Sequence, residues 1–255
     1  MRSALVFSLL CSSLYGAVVG GAININSGYR FDSITLKGER IGVARKEKLT
    51  EFKGWQNSLD ATLKWGGFFL RASAAYEKLF KNPEFYTELA GIKEPTQFLK
   101  KRYGYSGLCA FGYLFSLSDG VFFLGPEAGY AFQRMNTDQN AHEIAATPFM
   151  GFQFLWRAIC DWSVGLNFDF HFLGQRRSRI VDEAVLPFEA TSKGTYYGPE
   201  ARLTFDYSIT DHWSMGVTSF FKYIKTSKCN LPSGYNNSTQ TWMNGGASLT
   251  FGYTF

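Results

Sequence analysis

The chain has 255 residues, 18 % of them Phe, Tyr or Trp, with a formal charge of +5 and a mean hydropathy of −0.13. A water-soluble domain so rich in aromatic side chains reads as more hydrophobic overall, whereas a transmembrane barrel offsets its apolar residues with lumen-facing polar ones. The slight basic excess does not point to nucleic acid, and beyond the first residues no apolar run reaches the roughly 18 residues of a transmembrane helix.

The first element is a targeting signal. Arg2 supplies a positive start, Ala4 to Leu14 an apolar stretch too short to anchor, and Gly16, Ala17 and Gly20 to Ala22 small residues for processing. The cut is expected after Gly16 or after Ala22, which divides the chain into a signal peptide, 1–22, and one barrel, 23–255. Export places the remaining Cys109, Cys160 and Cys229 in an oxidising compartment. Being odd in number, at least one is unpaired within the chain, and Cys160 or Cys229 is a candidate for disulfide links to envelope partners.

Period-two alternation then predicts ten strands. In Ile23–Leu36, Ile23, Ile25, Tyr29 and Phe31 alternate with Asn24, Asn26, Arg30 and Asp32. In Trp55–Trp65, Trp55, Leu59, Ala61 and Leu63 alternate with Gln56, Ser58, Asp60, Thr62 and Lys64. Gly66-Gly67 permits positive φ at both positions, so a third strand returns at once, with Phe68, Leu70, Ala72, Ala74 and Tyr76 outward and Arg71, Ser73 and Glu77 inward. Tyr103–Tyr113 pairs with Val121–Arg134, Ala146–Trp156 with Trp162–Leu173, and Thr195–Tyr207 with Trp213–Ile224. Thr241–Phe255 closes the set.

Connections after even-numbered strands span about two to seven residues, and those after odd-numbered strands about eleven to twenty-four. That sorting is expected of a ten-stranded antiparallel transmembrane β-barrel with short periplasmic turns and long extracellular loops. Trp65, Trp156, Trp162 and Trp213 fall beside the short turns as one interfacial girdle. Tyr76, Tyr103, Tyr197 and Tyr223 fall near the long loops as the other.

The end of the chain carries a recognisable pattern. Leu249, Phe251, Tyr253 and terminal Phe255 alternate, and this resembles the C-terminal assembly signal of bacterial outer-membrane barrels. The resemblance implies recognition by the barrel assembly machinery and a place in the bacterial outer membrane.

Inward positions collect Arg30, Lys64, Arg71, Arg202 and Lys222 against Asp32, Asp60, Glu127, Asp169, Glu200 and Asp206. In a barrel this narrow, near-balanced charges are expected to pair in a filled interior. Asp169 and His171, two apart on the seventh strand, form the one arrangement able to act as a carboxylate-oriented general base. The pair resembles that of the omptin proteases, which are ten-stranded barrels. That family carries a second acidic pair near the end of the third strand, where this chain offers only Glu77, Glu84 and Glu88.

Gly125-Pro126-Glu127-Ala128 recurs as Gly198-Pro199-Glu200-Ala201, each expected to mark a bulge or kink. These strands bear a faint resemblance to the major outer-membrane proteins of chlamydia-like and Legionella-type bacteria, which implies no particular function.

Arg40, Arg45, Lys46 and Lys48 make the first long loop basic, and Arg176, Arg177 and Arg179 the fourth. Contact with outer-membrane lipid, including lipopolysaccharide phosphates, is the expectation. No metal or cofactor is indicated. The reading is a non-enzymatic surface barrel (structural, adhesive or weakly porin-like), with an omptin-like protease as the alternative.

Overall fold

A computed structural model describes residues 20–40, 43–81, 86–89, 92–95, 101–117, 121–137, 142–157, 161–182, 188–226, 229–231 and 235–255. The strands are β1 (Gly20–Arg40), β2 (Val43–Trp65), β3 (Phe68–Lys81), β4 (Tyr86–Leu89), β5 (Ile92–Pro95), β6 (Lys101–Tyr113) and β7 (Phe115–Leu117). They continue as β8 (Phe122–Thr137), β9 (His142–Arg157), β10 (Trp162–Asp182), β11 (Phe188–Ser208), β12 (Trp213–Thr226), β13 (Cys229–Leu231) and β14 (Tyr235–Thr254). Ten of them, β1, β2, β3, β6, β8, β9, β10, β11, β12 and β14, pair antiparallel with their neighbours, and β14 returns to β1 to close the barrel. The short β7 continues β6 along β8, while β4 and β5 form a separate hairpin.

Register fixes the shape. One cross-strand row runs Gly20, Lys64, Phe69, Gly112, Glu127, Gly151 and Asp169. It continues through Glu200, Lys222 and Asn244 to Asp32, twelve residues up β1 from its start. With ten strands spaced as in any sheet, that stagger tilts the strands by about 40° and gives a backbone cylinder roughly 20 Å across.

Side chains alternate as the sequence predicts. Ile23, Ile25, Leu59, Phe111, Met150, Phe152, Leu166, Phe168 and Leu249 stand exposed on the outer wall. Near the short turns the aromatics interlock: Phe68 packs edge-on against Tyr113 at 4.7 Å, and Trp213 lies 4.8 Å from Tyr253. Near the other end, Tyr76 and Tyr105 meet at 5.4 Å. From Tyr113 to Tyr103 on β6, the axial rise is about 25 Å, the height of a lipid-facing band.

The segments expected as long loops are in large part continuing ladder. β1 and β2 pair without a break in strand assignment to Arg40 and Val43, so Arg40, Arg45, Lys46 and Lys48 belong to strands. Arg176, Arg177 and Arg179 lie on β10, paired across to Gly194, Lys193 and Thr191, and His142 opens β9. In these segments the sequence lacks the apolar alternation that reveals a strand, while the backbone pairing persists.

The lower seam bears on the processing point. β1 starts at Gly20 rather than Ile23. Gly21 exchanges two backbone hydrogen bonds with Phe255, at 2.9 and 3.0 Å, and the Phe255 ring lies where a Cβ at position 21 would stand. Residues 20–22 are thus paired into the barrel wall.

Both Gly-Pro-Glu segments interrupt a ladder. Opposite Gly125-Pro126, β6 breaks off from β7 at Leu114; opposite Gly198-Pro199, no β12 residue pairs. A proline has no N–H to give its neighbour. Gly198, with φ +155°, has its missing Cβ directed at the Tyr223 carbonyl, so only glycine fits.

Candidate functional site

The lumen holds stacked polar networks whose members come from adjacent strands and from across the barrel. Nearest its middle, the Arg71 guanidinium on β3 reaches Glu127 on β8 at 3.0 Å and Asp169 on β10 at 3.6 Å, while Asn167 donates to Glu127 at 2.8 Å. Gly151, between Glu127 and Asp169 in the row, leaves the space that the Asp169 carboxylate fills. Asp169 Oδ1 and Arg71 Nε are buried without a hydrogen-bond partner among the described residues.

One layer up, His171 Nε2 and Lys222 Nζ both meet Glu200 Oε2, at 3.0 and 3.1 Å. Arg202 stands apart from its acids, 3.7 Å from Glu200 and 3.9 Å from Asp60, and Asn26 donates to the other oxygen of Asp60 at 2.5 Å. Higher still, Arg30 pairs with Asp32 at 2.9 Å and with Glu77, and donates to Gln56 at 3.2 Å. Asn244 and Arg102 complete the shell of Asp32, at 2.8 and 3.3 Å. The Arg102 guanidinium sits 5.7 Å from the Phe52 ring and 5.6 Å from the Trp242 ring, a cation within reach of two aromatic faces. Tyr196, Ile224, Ala145 and Trp242 form a buried cluster beside it.

Most of the predicted lumen charges therefore meet. Arg30 joins Asp32; Arg71 joins Glu127 and Asp169; Glu200 joins Lys222, with Arg202 and Asp60 close by. Lys64 and Asp206 lie nearer the short-turn end and join no ion pair among the described residues. Arg102, Asn167, Asn244 and Gln133 were not singled out in the sequence. Arg102 lies one residue outside the predicted strand, although its inward register with Gly104 and Ser106 continues the alternation.

Asp169 and His171 share the inward face of β10 but not a hydrogen bond. The acid on His171 Nε2 is Glu200, from the adjacent strand; Asp169 turns to Arg71. His171 is 2 % exposed, its ring 5.5 Å from Phe149, and its Nδ1 has no partner among the described residues. Just beyond it, a bulge with Leu173 at φ 50° re-aims β10, which runs on as strand to Asp182 rather than opening into a loop at Gly174. Glu77 is engaged by Arg30 and Gln133, and Glu84 lies outside the described residues.

The assembly residues Leu249, Phe251, Tyr253 and Phe255 stand on the outer face of β14, with Trp213 against Phe251 at 5.1 Å. Cys109 is exposed on the outer wall. Cys229 lies in β13, and Cys160 lies outside the described residues. No group of three or more His, Cys, Asp or Glu that could hold a metal occurs among the described residues.

No protein-family profile and no curated sequence matches the chain. Among solved structures it is similar to the outer membrane protease OmpT of Escherichia coli, with TM-score 0.63 and 10 % identity, over 93 % of this chain and 97 % of that one. It also matches the translocator domain of the autotransporter NalP from Neisseria meningitidis, at TM-score 0.41 and 10 % identity, over 100 % and 96 % of the two chains. The outer membrane protein OprG from Pseudomonas aeruginosa matches at TM-score 0.39 and 14 % identity, over 92 % and 96 %. The fold is that of bacterial outer-membrane β-barrels, and the OmpT match agrees with a ten-stranded one.

Proposed function

We propose that this chain is an exported outer-membrane surface protein without catalytic activity, structural, adhesive or weakly porin-like, assembled through its terminal aromatic strand. The enclosure of His171, 2 % exposed, carries that reading. A surface protease needs its base open to a peptide from outside, and this imidazole spends its Nε2 on a buried carboxylate. The paired lumen charges likewise favour a lumen that passes little solute. Outward Lys53, Lys78 and Arg134, exposed close to the upper aromatic girdle, suit the phosphates of outer-leaflet lipid, including lipopolysaccharide. Those contacts leave surface interactions to the ladder hairpins above the membrane.

An omptin-like protease is the second reading, favoured by Asp169 and His171 sharing one inward face. The test is refolded protein incubated with basic peptides beside a His171→Ala variant. The proposal expects no cleavage by either; cleavage that disappears in the variant overturns it. Planar-bilayer recording adds a check on the lumen: steady large channels would contradict a filled interior.

A further inference from the structure

Five lumen cations, Arg30, Arg71, Arg102, Arg202 and Lys222, each have a carboxylate oxygen at 2.9 to 3.7 Å. Two at the short-turn end do not. Lys64, the penultimate residue of β2, and Arg157, the last of β9, join no ion pair among the described residues. Both stand on inward registers: Lys64 pairs across to Phe69, and Arg157 follows Leu155, which pairs with Phe123. Asp206 is inward at the same end but pairs with neither, and nor does the terminal carboxylate of Phe255.

Both cations line one cavity of about 160 Å³. The rest of its wall is apolar or glycine, chiefly Phe69, Phe123, Leu155 and the Gly66-Gly67 turn, and carries no acid. The Arg157 guanidinium lies over the Phe123 ring at 5.1 Å, and its backbone N–H donates to the Val121 carbonyl at 2.8 Å, so the charge is held in place. That charge is near enough to act on Lys64. Arg157 is exposed and Lys64 half-buried, so solvent reaches both. Two like charges on an acid-free cavity repel each other, and an anion in that cavity offsets the cost.

Depth in the membrane identifies the anion. Lys64 adjoins Trp65 and Arg157 adjoins Trp156, both in the aromatic girdle beside the short turns. Such girdles lie at headgroup level, where phosphate is the abundant oxyanion. We propose that this rim cavity binds a phosphate group, its free oxygens taking hydrogen bonds from Lys64 and Arg157. The planar fork of arginine and the point charge of lysine both suit phosphate oxygens. The apolar wall would contact whatever the phosphate is esterified to, so free phosphate and a lipid headgroup are two sources of one chemistry.

The test is titration calorimetry on the refolded barrel in maltoside detergent, with inorganic phosphate, dihexanoyl phosphatidylglycerol and acetate as probes. Saturable binding of one phosphate group per barrel is expected, with acetate at least tenfold weaker. Tighter binding of the lipid than of inorganic phosphate would assign the site to a headgroup, and the reverse to the free ion; both support the proposal. Lys64→Gln and Arg157→Gln should each lower affinity at least fivefold, and the double variant should abolish binding. The single variants stand in if the double variant lacks the heat-dependent gel mobility of a folded barrel. Lys225→Gln, at the opposite end of β12, should change nothing. No saturable binding of either phosphate probe, acetate binding as tightly, or unchanged binding in the folded variants would overturn the proposal. So would an equal loss in Lys225→Gln, which would reduce the effect to overall charge.

Discussion

Replacing Arg71 by Met tests whether the lumen networks hold the barrel together. The change keeps the aliphatic stem but removes the only cation that reaches Glu127 and Asp169 among the described ion pairs. Glu127 would keep its 2.8 Å bond from Asn167, whereas Asp169, which already has one unpartnered oxygen, would lose its charge partner. Two carboxylates 3 % and 5 % exposed would then face each other across Gly151. Removing one partner of a buried pair costs about 3–5 kcal/mol. With a urea slope of about 2 kcal/mol per molar, the unfolding midpoint should fall by roughly 2 M. The assay is urea titration in lipid vesicles, read by tryptophan fluorescence and by heat-dependent gel mobility. Adding Glu127→Gln and Asp169→Asn to the same chain should recover most of the loss, since no uncompensated charge remains. A shift below about 1 kcal/mol for Arg71→Met alone, in the range of an exposed pair, would refute a tightly desolvated network. Equal loss in the triple variant would instead assign the effect to packing.

Gly198→Ala should destabilise the barrel by about 1–3 kcal/mol, because the new methyl meets the Tyr223 carbonyl at a φ of +155°; an unchanged urea midpoint would sink that account. Intact mass of protein taken from the membrane should match a chain starting at Ala17. A start at Ile23 would mean that β14 closes without the two hydrogen bonds from Gly21, and the lower seam would need redrawing.

How far the sequence disclosed this depended on what surrounds each segment. Where lipid touches one face, as along Trp55–Trp65, alternation marks both the strand and its inward residues. Along Val43–Lys53 the Lys, Glu and Thr residues follow no apolar period, so the sequence reads as loop although the backbone pairs with β1 and Phe52 is buried. Pairing of the charges was a different matter. Alternation places Arg71, Glu127 and Asp169 inside, but which acid meets which base follows from the twelve-residue stagger, a property of the closed cylinder that no single strand encodes. Asp169 and His171 illustrate the consequence. Two residues apart they suggested a dyad, yet the register gives His171 to Glu200 on the next strand and Asp169 to a base 98 positions away in the chain. The Gly-Pro-Glu repeats were more legible, because the missing N–H of proline acts locally whatever the fold.

The continuous ladder from membrane to hairpin tip also constrains how this surface can diversify. An insertion within the paired part of β1 or β2 would shift every outward side chain beyond it to the inner face. Length changes are therefore tolerated outside the ladder, past its last pair such as Arg40 with Val43. Along the flanks variation has to proceed by substitution. Antibodies raised against these flanks would recognise side chains from several neighbouring strands at once and would lose the epitope on unfolding. Linear peptides copied from the hairpins would make poor mimics of the folded flanks.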